Sequence, residues 1–530
     1  VPLPTDIDPA SQTVSTQIDH FSVFTLSDGS SPSSAYIPSL QGFQVSSFTG
    51  TASYRIPIDV PAGPGGLAPT LALSYSSAAT DGPGGERPKS QASWVGKSWS
   101  FDPAGAVAIN KNLVGAAWDH FSFVVGGRSF DAIKGELLPG YTNYADTNLA
   151  HWSWHASDET FDRVRVNDLG GGQYSWQVWS TDGTRYNFTQ PLWWRWDDGG
   201  SATRQVYKWL LTQTIDTHGN KIVYGYQVDT VMLAGTSYNP TYHLSTISWG
   251  YDGATPGTGT PRYQVELVVA ERNSAPTAGV DAAWEYPESD SSTYYQAITQ
   301  HEVYRLDSIM VKSWPSGAGG YQLVRQYNLR YADVNGSVQT DDYVGQKQLT
   351  LLGVQRIGKD GTSALPETTF TYGMDPGQGT DVVRPAGFNR LLTIDNGQGG
   401  KLTFSYEHPW TTLPGGECWC NLRNYHRVSE ALAEELSGSG AEALTTYSYT
   451  APALNDEAHA ATVVYAHYPP SGNGDSRALL ARAEKKEFRG HATVIERHYD
   501  GDTASDPLLQ VTQQWFYQGD AGCTPTVTNG

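Results

Sequence analysis

The chain has 530 residues, and 54 acidic against 34 basic side chains give it a net charge of −20. That balance excludes nucleic acid as a partner, because phosphates demand a basic face, and it excludes anionic membrane surfaces. No apolar run approaches the ~18–20 residues that span a bilayer, so membrane insertion is not expected. With 56 Gly, 30 Pro and 31 Tyr but only 17% charged residues, the composition favours many short strands joined by sharp turns over helix bundles. The 17 Trp are spread along the chain and supply an extended core.

The first forty residues are rich in Ser, Pro and Thr with little periodicity, and 1–45 reads as an extended arm or plug. Residues 54–69 (YRIPIDVPAGPGGLAP) lead into the alternating run 70–77 (TLALSYSS). This pair of β-runs, joined by a Pro- and Gly-punctuated elbow, carries no nucleophile, metal-ligand cluster or phosphate loop. It is expected to organise a β-wall, with Pro57, Pro61, Pro64 and Pro69 blocking edge pairing where the wall begins.

From about Gly50 the pattern is strand, turn, strand. Tyr174, Trp176 and Val178 alternate before Asp182-Gly183, a hairpin signal because Gly adopts positive φ without steric cost. Residues 207–215 lead into Asp216 to Asn220, and Ile222, Tyr224 and Tyr226 follow on one face. Tyr263, Val265, Leu267 and Val269 share one side of a strand, as do Tyr327, Leu329 and Tyr331, which predicts sheets with one buried face. Another hairpin turns at 395–400. Residues 429–436 (SEALAEEL) have a Ser cap, early acidic residues and Gly438 as a stop, and there helix and strand are evenly balanced. A degenerate unit recurs. Tyr224/Tyr226, Phe370/Tyr372, Phe404/Tyr406 and Tyr447/Tyr449 are paired aromatics, most of them preceded by an acidic–glycine turn.

Few constellations carry chemistry. Cys418, Cys420 and Cys523 are too few for a disulfide scaffold, although one of the first two could pair with Cys523 in an oxidising compartment. Cys418-Trp-Cys420 with His426 lacks the usual zinc spacing, so no metal and no cofactor are expected. Sequons stand at Asn187 and Asn335, both near turns. The patch with binding appeal is Trp193, Trp194, Trp196, Asp197 and Asp198, whose rings and carboxylates suit either a sugar or a protein partner. Its alternative role is to anchor the core while the Asp pair turns the chain.

Together these stretches resemble the Rhs/YD-repeat superfamily. Residues 54–77 followed by Gly96-Lys97-Ser98-Trp99 resemble the N-terminal domain shared by the Salmonella plasmid virulence protein B and the B component of insecticidal toxin complexes. Tyr207 to Asn220, Tyr304-x-Leu306-Asp307-Ser308-Ile309, Leu351 to Tyr372 and Glu487-Phe488-Arg489-Gly490 match the phrasing of the same superfamily, so the resemblance covers roughly residues 45 to 520. It implies an all-β fold: a large curved antiparallel sheet of many hairpins, a cocoon-like Rhs/YD-type shell with very little helix. The expected divisions are an arm at 1–45, a virulence-plasmid-B-like β domain at 46–240, a β continuation with loop insertions at 241–380 and a YD-repeat-like segment at 381–530. Neither the calcium-loop propeller of the toxin-complex B component nor the self-cleaving Rhs core motif is found. The chain therefore reads as the leading part of a longer protein, and its start at Val1 suggests a removed leader.

The functional expectation is a secreted or surface-held, non-catalytic β-shell module that encloses or displays a polypeptide. Its partners would be protein cargo or downstream YD-repeat and toxin segments. The runner-up is an adhesion protein binding a cell-surface glycan through 193–198, and the third reading is a polysaccharide-active enzyme on a β-scaffold.

Overall fold

The computed structural model describes residues 6–8, 13–15, 42–81, 92–109, 120–157, 160–197, 202–229, 232–233, 236–237, 241–271, 304–331, 349–373, 386–408, 425–436, 440–454, 463–465, 479–481 and 488–517. Among them every regular element is a strand or a short 3-10 turn, as the expected all-β class requires. Cys418, Cys420, Cys523 and Asn335 lie outside the described residues.

After a two-stranded antiparallel pair at Asp6–Asp8 and Thr13–Ser15 comes a small four-stranded antiparallel sheet: β1 (Phe43–Val45), β2 (Ala52–Ile58), β3 (Leu71–Ser76) and β4 (Trp99–Ser100). Residues 54–77 thus do not begin the wall. They form this separate sheet, because the alternating residues Tyr54, Ile58, Leu71, Leu73 and Tyr75 bury one of its faces.

Next come β5 (Ala106–Ile109), β6 (His120–Val125), β7 (Arg128–Leu137), β8 (Trp152–Ala156), β9 (Arg163–Gly170), β10 (Gln173–Trp179), β11 (Arg185–Asp197) and β12 (Ala202–Ile215). Each pairs antiparallel with the next, and β12 returns to β5 through Lys208↔Ala108, Trp209↔Val107 and Leu210↔Ala106. An eight-stranded ring is closed. Side chains fill it: Trp176 is fully buried, with ring centroids of Phe121, Phe123, Trp154 and Trp209 between 4.5 and 5.8 Å away. Barrels of about eight strands leave room for little more than their own side chains, and here the aromatics take that room.

The sheet then runs on from β12 through β13 (Lys221–Asp229), β14 (Thr241–Tyr251), β15 (Pro261–Glu271), β16 (Tyr304–Ser313), β17 (Gln322–Tyr331), β18 (Leu351–Ile357) and β19 (Thr368–Tyr372). It continues with β20 (Leu391–Asp395), β21 (Gly400–Glu407), β22 (Arg427–Glu435), β23 (Glu442–Leu454), β24 (Phe488–Asp500) and β25 (Leu508–Trp515). All are antiparallel neighbours in this order. Only the first ring closes: β5 has β6 on one edge and β12 on the other, so β25 cannot join it. Residues 429–435 of the balanced segment belong to β22, a strand because β21 and β23 flank it and Val428, Ala431 and Glu435 are drawn inward.

Strand β12 is the fork. One edge pairs with β11 along its length, while the other serves β5 through residues 208–210 and β13 through 213–215. Between the two partners sits Leu211. Its N–H donates to the Gly105 carbonyl at 3.0 Å, and its carbonyl accepts the Tyr226 hydroxyl at 2.7 Å. Gly105 must be glycine, since a Cβ there would lie 1.9 Å from the Val124 oxygen.

The same tyrosine bond recurs along the wall. Tyr331 donates to the Leu306 carbonyl (2.7 Å), Tyr372 to Leu351 (2.6 Å), Tyr406 to Leu391 (2.9 Å) and Tyr449 to Val428 (2.7 Å). At Tyr226, Tyr331, Tyr372 and Tyr406 the register with the following strand shifts at that residue. Such bulges sharpen strand twist, which bends a large sheet. The acidic–glycine corners stand as expected. The Asp182, Asp216, Asp360 and Asp395 carboxylates accept backbone N–H groups of their own turns, and Gly183, Gly219, Gly361 and Gly397 have positive φ.

Three substitutions test this account. Trp176→Ala should cost about 3–5 kcal/mol in urea unfolding, as for other large-to-small core changes. Trp176→Phe should cost less than half of that, because the Trp176 indole N–H is buried without an acceptor among the described residues. Tyr226→Phe should destabilise by about 1–3 kcal/mol by leaving the Leu211 carbonyl without that donor, measured in the same assay.

Candidate functional site: a sheet braced across the wall

The four strands β1–β4 and their loops lie against the buried face of the wall, and backbone polar groups make many of the contacts. Trp249 Nε1 on β14 donates to the Pro61 carbonyl (3.0 Å), and the Asp59 N–H donates to the Tyr327 hydroxyl on β17 (3.1 Å). Leu306 N–H donates to the Trp94 carbonyl and Lys97 N–H to that of Leu349, each at 2.8 Å. Trp99 Nε1 reaches the Tyr372 hydroxyl at 2.8 Å, Leu391 N–H reaches the Tyr75 hydroxyl at 2.9 Å, and Val428 N–H reaches the Gly50 carbonyl at 2.9 Å. The Phe43 ring lies tilted against Phe404 at 4.6 Å, and that of Phe48 against Phe516 at 5.2 Å. These contacts run from β14 to the residue just past β25. The small sheet braces the wall across its strands.

An ion pair lies inside this brace. Arg390 is fully buried; Nη2 meets Asp81 Oδ1 at 2.5 Å and Nη1 donates to the Phe388 carbonyl at 2.7 Å. Burial pushes the Asp81 carboxyl above the usual carboxylate range, while the guanidinium pulls it back. Burial and the Arg390 charge lower Lys97 to about 8. Burial also raises the Tyr372 and Tyr406 hydroxyls well above their ordinary value, so both remain neutral donors at any physiological pH. His426 is buried nearby, and its Nδ1 accepts the Gly387 N–H at 3.1 Å. These groups join chain segments. Among the described residues no group of three or more His, Cys, Asp or Glu is placed to hold a metal.

The residues singled out by sequence fall elsewhere. Trp193 is half-buried on β11 and packs against the core cluster. Trp194, Trp196 and Asp197 follow it on the same strand, in register with Gln205, Thr203 and Ala202, and Asp198 lies outside the described residues. Asn187 is a poor glycan acceptor because its side chain is buried, donating to Gln213 Oε1 and accepting from Gln177. Sequence reasoning missed the Arg390–Asp81 pair and the hydroxyl role of the second aromatic in each pair. The Tyr in that second place was the available signal.

No protein-family model matches the chain, and no curated protein sequence does either. Solved structures do. The crystal structure of TcdB2-TccC3 has a TM-score of 0.55 at 12% identity, over 94% of this chain and 39% of its own. The same complex without its hypervariable C-terminal region has a TM-score of 0.57 at 11% identity, over 94% and 38%. The N-terminal domain of the effector protein SpvB from Salmonella typhimurium strain LT2 matches at 17% identity over 57% of this chain and 98% of its own, but its TM-score of 0.39 carries no argument. The resemblance to toxin-complex shell proteins therefore holds as one of fold, and this chain spans about two-fifths of the TcdB2-TccC3 chains it matches.

Arg390→Met should destabilise the chain by about 3–5 kcal/mol, because it leaves Asp81 buried without its counter-charge. The double change Arg390→Met/Asp81→Leu should restore most of that loss, read as the midpoint of urea unfolding.

Proposed function

We propose that this chain is a secreted, non-catalytic β-shell module of a toxin-complex-like protein, and that it builds the closed end from which the shell wall grows. One observation carries the reading: the wall's buried face is already covered from β14 to β25 by the chain's own residues 42–81 and 92–101. A polypeptide cargo cannot occupy that face, and the aromatic-filled ring has no room for one. Enclosed space therefore belongs beyond β25.

The open end of the sheet supports this. Strand β25 pairs with β24 on one edge, and no register is formed on the other among the described residues. Leu508, Leu509, Val511, Trp515 and Tyr517 are exposed there, with Trp515 at 72% and Tyr517 at 82%. An uncovered apolar edge of this kind is a template for a further strand. The partner we assign to it is a following strand of a longer polypeptide, and the cargo is a protein segment held behind the added wall. The net charge of −20 suits a protein kept apart from its copies outside the cell. A glycan-binding role for 193–198 is not favoured, since Trp193 is engaged with the core.

Single-particle reconstruction of the full polypeptide that carries this chain tests the proposal. The expected result is a void that begins past β25, with β1–β4 closing one end. A solid particle, or cargo density in the place of β1–β4, would overturn it.

A further inference from the structure

The tip of the hairpin between β1 and β2 is seated on the wall by one histidine. His491 on β24 is fully buried, and both its backbone N–H and its ring Nδ1 lie 3.0 Å from the Phe48 carbonyl. A carbonyl has no proton to give, so Nδ1 carries the hydrogen and Nε2 presents a lone pair. That lone pair accepts from Arg427 Nη1 at 2.7 Å. The guanidinium cannot easily withdraw, because its Nε is bonded to Glu407 Oε1 at 2.7 Å and its Cζ lies over the Tyr449 ring, 4.7 Å from the centroid. Beside the histidine, a Cβ on Gly490 would lie 2.5 Å from the Phe48 ring, which shows how closely the hairpin tip is fitted.

We propose that His491 is an acid-operated catch: a proton on Nε2 releases residues 46–51, and with them the corner of the brace nearest the open edge of the wall. Protonation removes the acceptor of the Arg427 bond and sets a second cation against the guanidinium. Among the described residues, the charged groups that face the ring are Arg427 on β22 and, through it, Glu407 on β21; the Tyr449 ring on β23 lies tilted against it at 4.7 Å. Residues 46–51 carry no charge, so the hairpin itself offers no carboxylate to neutralise the new cation. Further along β24, Glu496 is paired with His498 and Arg497 bonds Ser448.

Burial holds the His491 pKa down to about 4 against an ordinary 6.5, with the Phe48 carbonyl pulling it up and Arg427 pushing it further down. The seated form thus refuses a proton that the released form accepts. Above pH 6.5 neither form is favoured by protons. Between about 6.5 and 4 the released form gains steadily, and below 4 the gain is complete, on the order of a hundredfold in population. The catch depends only on the geometry of residues 46–51 with Glu407, Arg427, Tyr449 and His491, so it stands whether or not the wall encloses a cargo.

Hydrogen-exchange mass spectrometry of the whole chain, corrected for the intrinsic pH dependence of exchange, tests it. Amides of 46–52 and 488–494 should lose protection between pH 6.5 and 4 while those of the β5–β12 ring keep theirs. In His491→Gln, where the amide can give and accept the same bonds without titrating, the loss should vanish; in His498→Gln it should persist. Persistence of the loss in His491→Gln, or unbroken protection of 46–52 at pH 4 in the unsubstituted chain, would sink the catch. Should His491→Gln fail to fold, exchange of the imidazole C2 hydrogen reads the titration of His491 directly. A midpoint near 4 supports the catch and one near 6.5 refutes it.

Discussion

A long antiparallel sheet that must bend has to break its own ladder, and each break strands a backbone carbonyl on the buried side. An unsatisfied carbonyl there costs about as much as a lost hydrogen bond, ~1–3 kcal/mol. In this chain the remedy is a tyrosine on the next strand, its ring packed in the core and its hydroxyl turned back to the carbonyl. Tyr226, Tyr331, Tyr372, Tyr406 and Tyr449 all do this. Phenylalanine would fill the same volume and leave the carbonyl bare. The residue type is thus set by the backbone, and the wall curves where a tyrosine permits the register to slip.

The fork at Leu211 is the most demanding instance of that constraint. One strand edge there changes partner within three residues, from β5 to β13, and only Leu211 and Thr212 are left between them. With Gly105 taking the N–H of Leu211 and Tyr226 its carbonyl, a closed ring and an open sheet grow from one strand with both backbone groups of Leu211 bonded at the junction. The ring can then be packed solid with Trp154, Trp176 and Trp209 while the sheet beyond it stays extended. Because the wall has one buried face, it needs a covering layer, and residues 42–81 and 92–101 supply it. Without them Trp249, Tyr327, Leu351 and Phe404 would face water.

The parts of this plan that can be read from sequence are the local ones. Asp182-Gly183, Asp216 to Asn220 and Asp395 to Gly397 announce their turns because each carboxylate bonds N–H groups two to four residues away, and Gly supplies the positive φ. Residues 429–436 are ambiguous alone, since their helix signals are local while the two flanking strands that settle the matter are not. Residues 54–77 read correctly as strands but not as a brace, because their partners lie up to 316 residues away, as Tyr75 and Leu391 do. Likewise, nothing in the pattern around Tyr75 points to Asp81 and Arg390, which meet across 309 residues. The patch at 193–198 drew attention through composition, and composition does not distinguish a Trp that packs inward from one that binds.

The brace also explains why polar contacts outnumber what a purely apolar interface would need. Apolar packing between two sheets is tolerant of sliding, since hydrophobic burial has no direction. Directed bonds fix where the layers meet: Arg390 to Asp81, Trp99 to Tyr372, Trp249 to Pro61 and His491 to Phe48 each admit one position. Three of these four involve no group that titrates between pH 4 and 8 in a way that would break them. Asp81 is the closest exception, and its protonated form still carries an O–H and an acceptor beside Arg390. His491 differs, because its bond to Arg427 requires the neutral ring. The covering layer is therefore pinned along most of its length by contacts indifferent to acid, and at its outermost corner by one that is not. A layer pinned in that way pivots at the corner before it detaches, which places any acid response at the growing edge of the wall and leaves the ring intact.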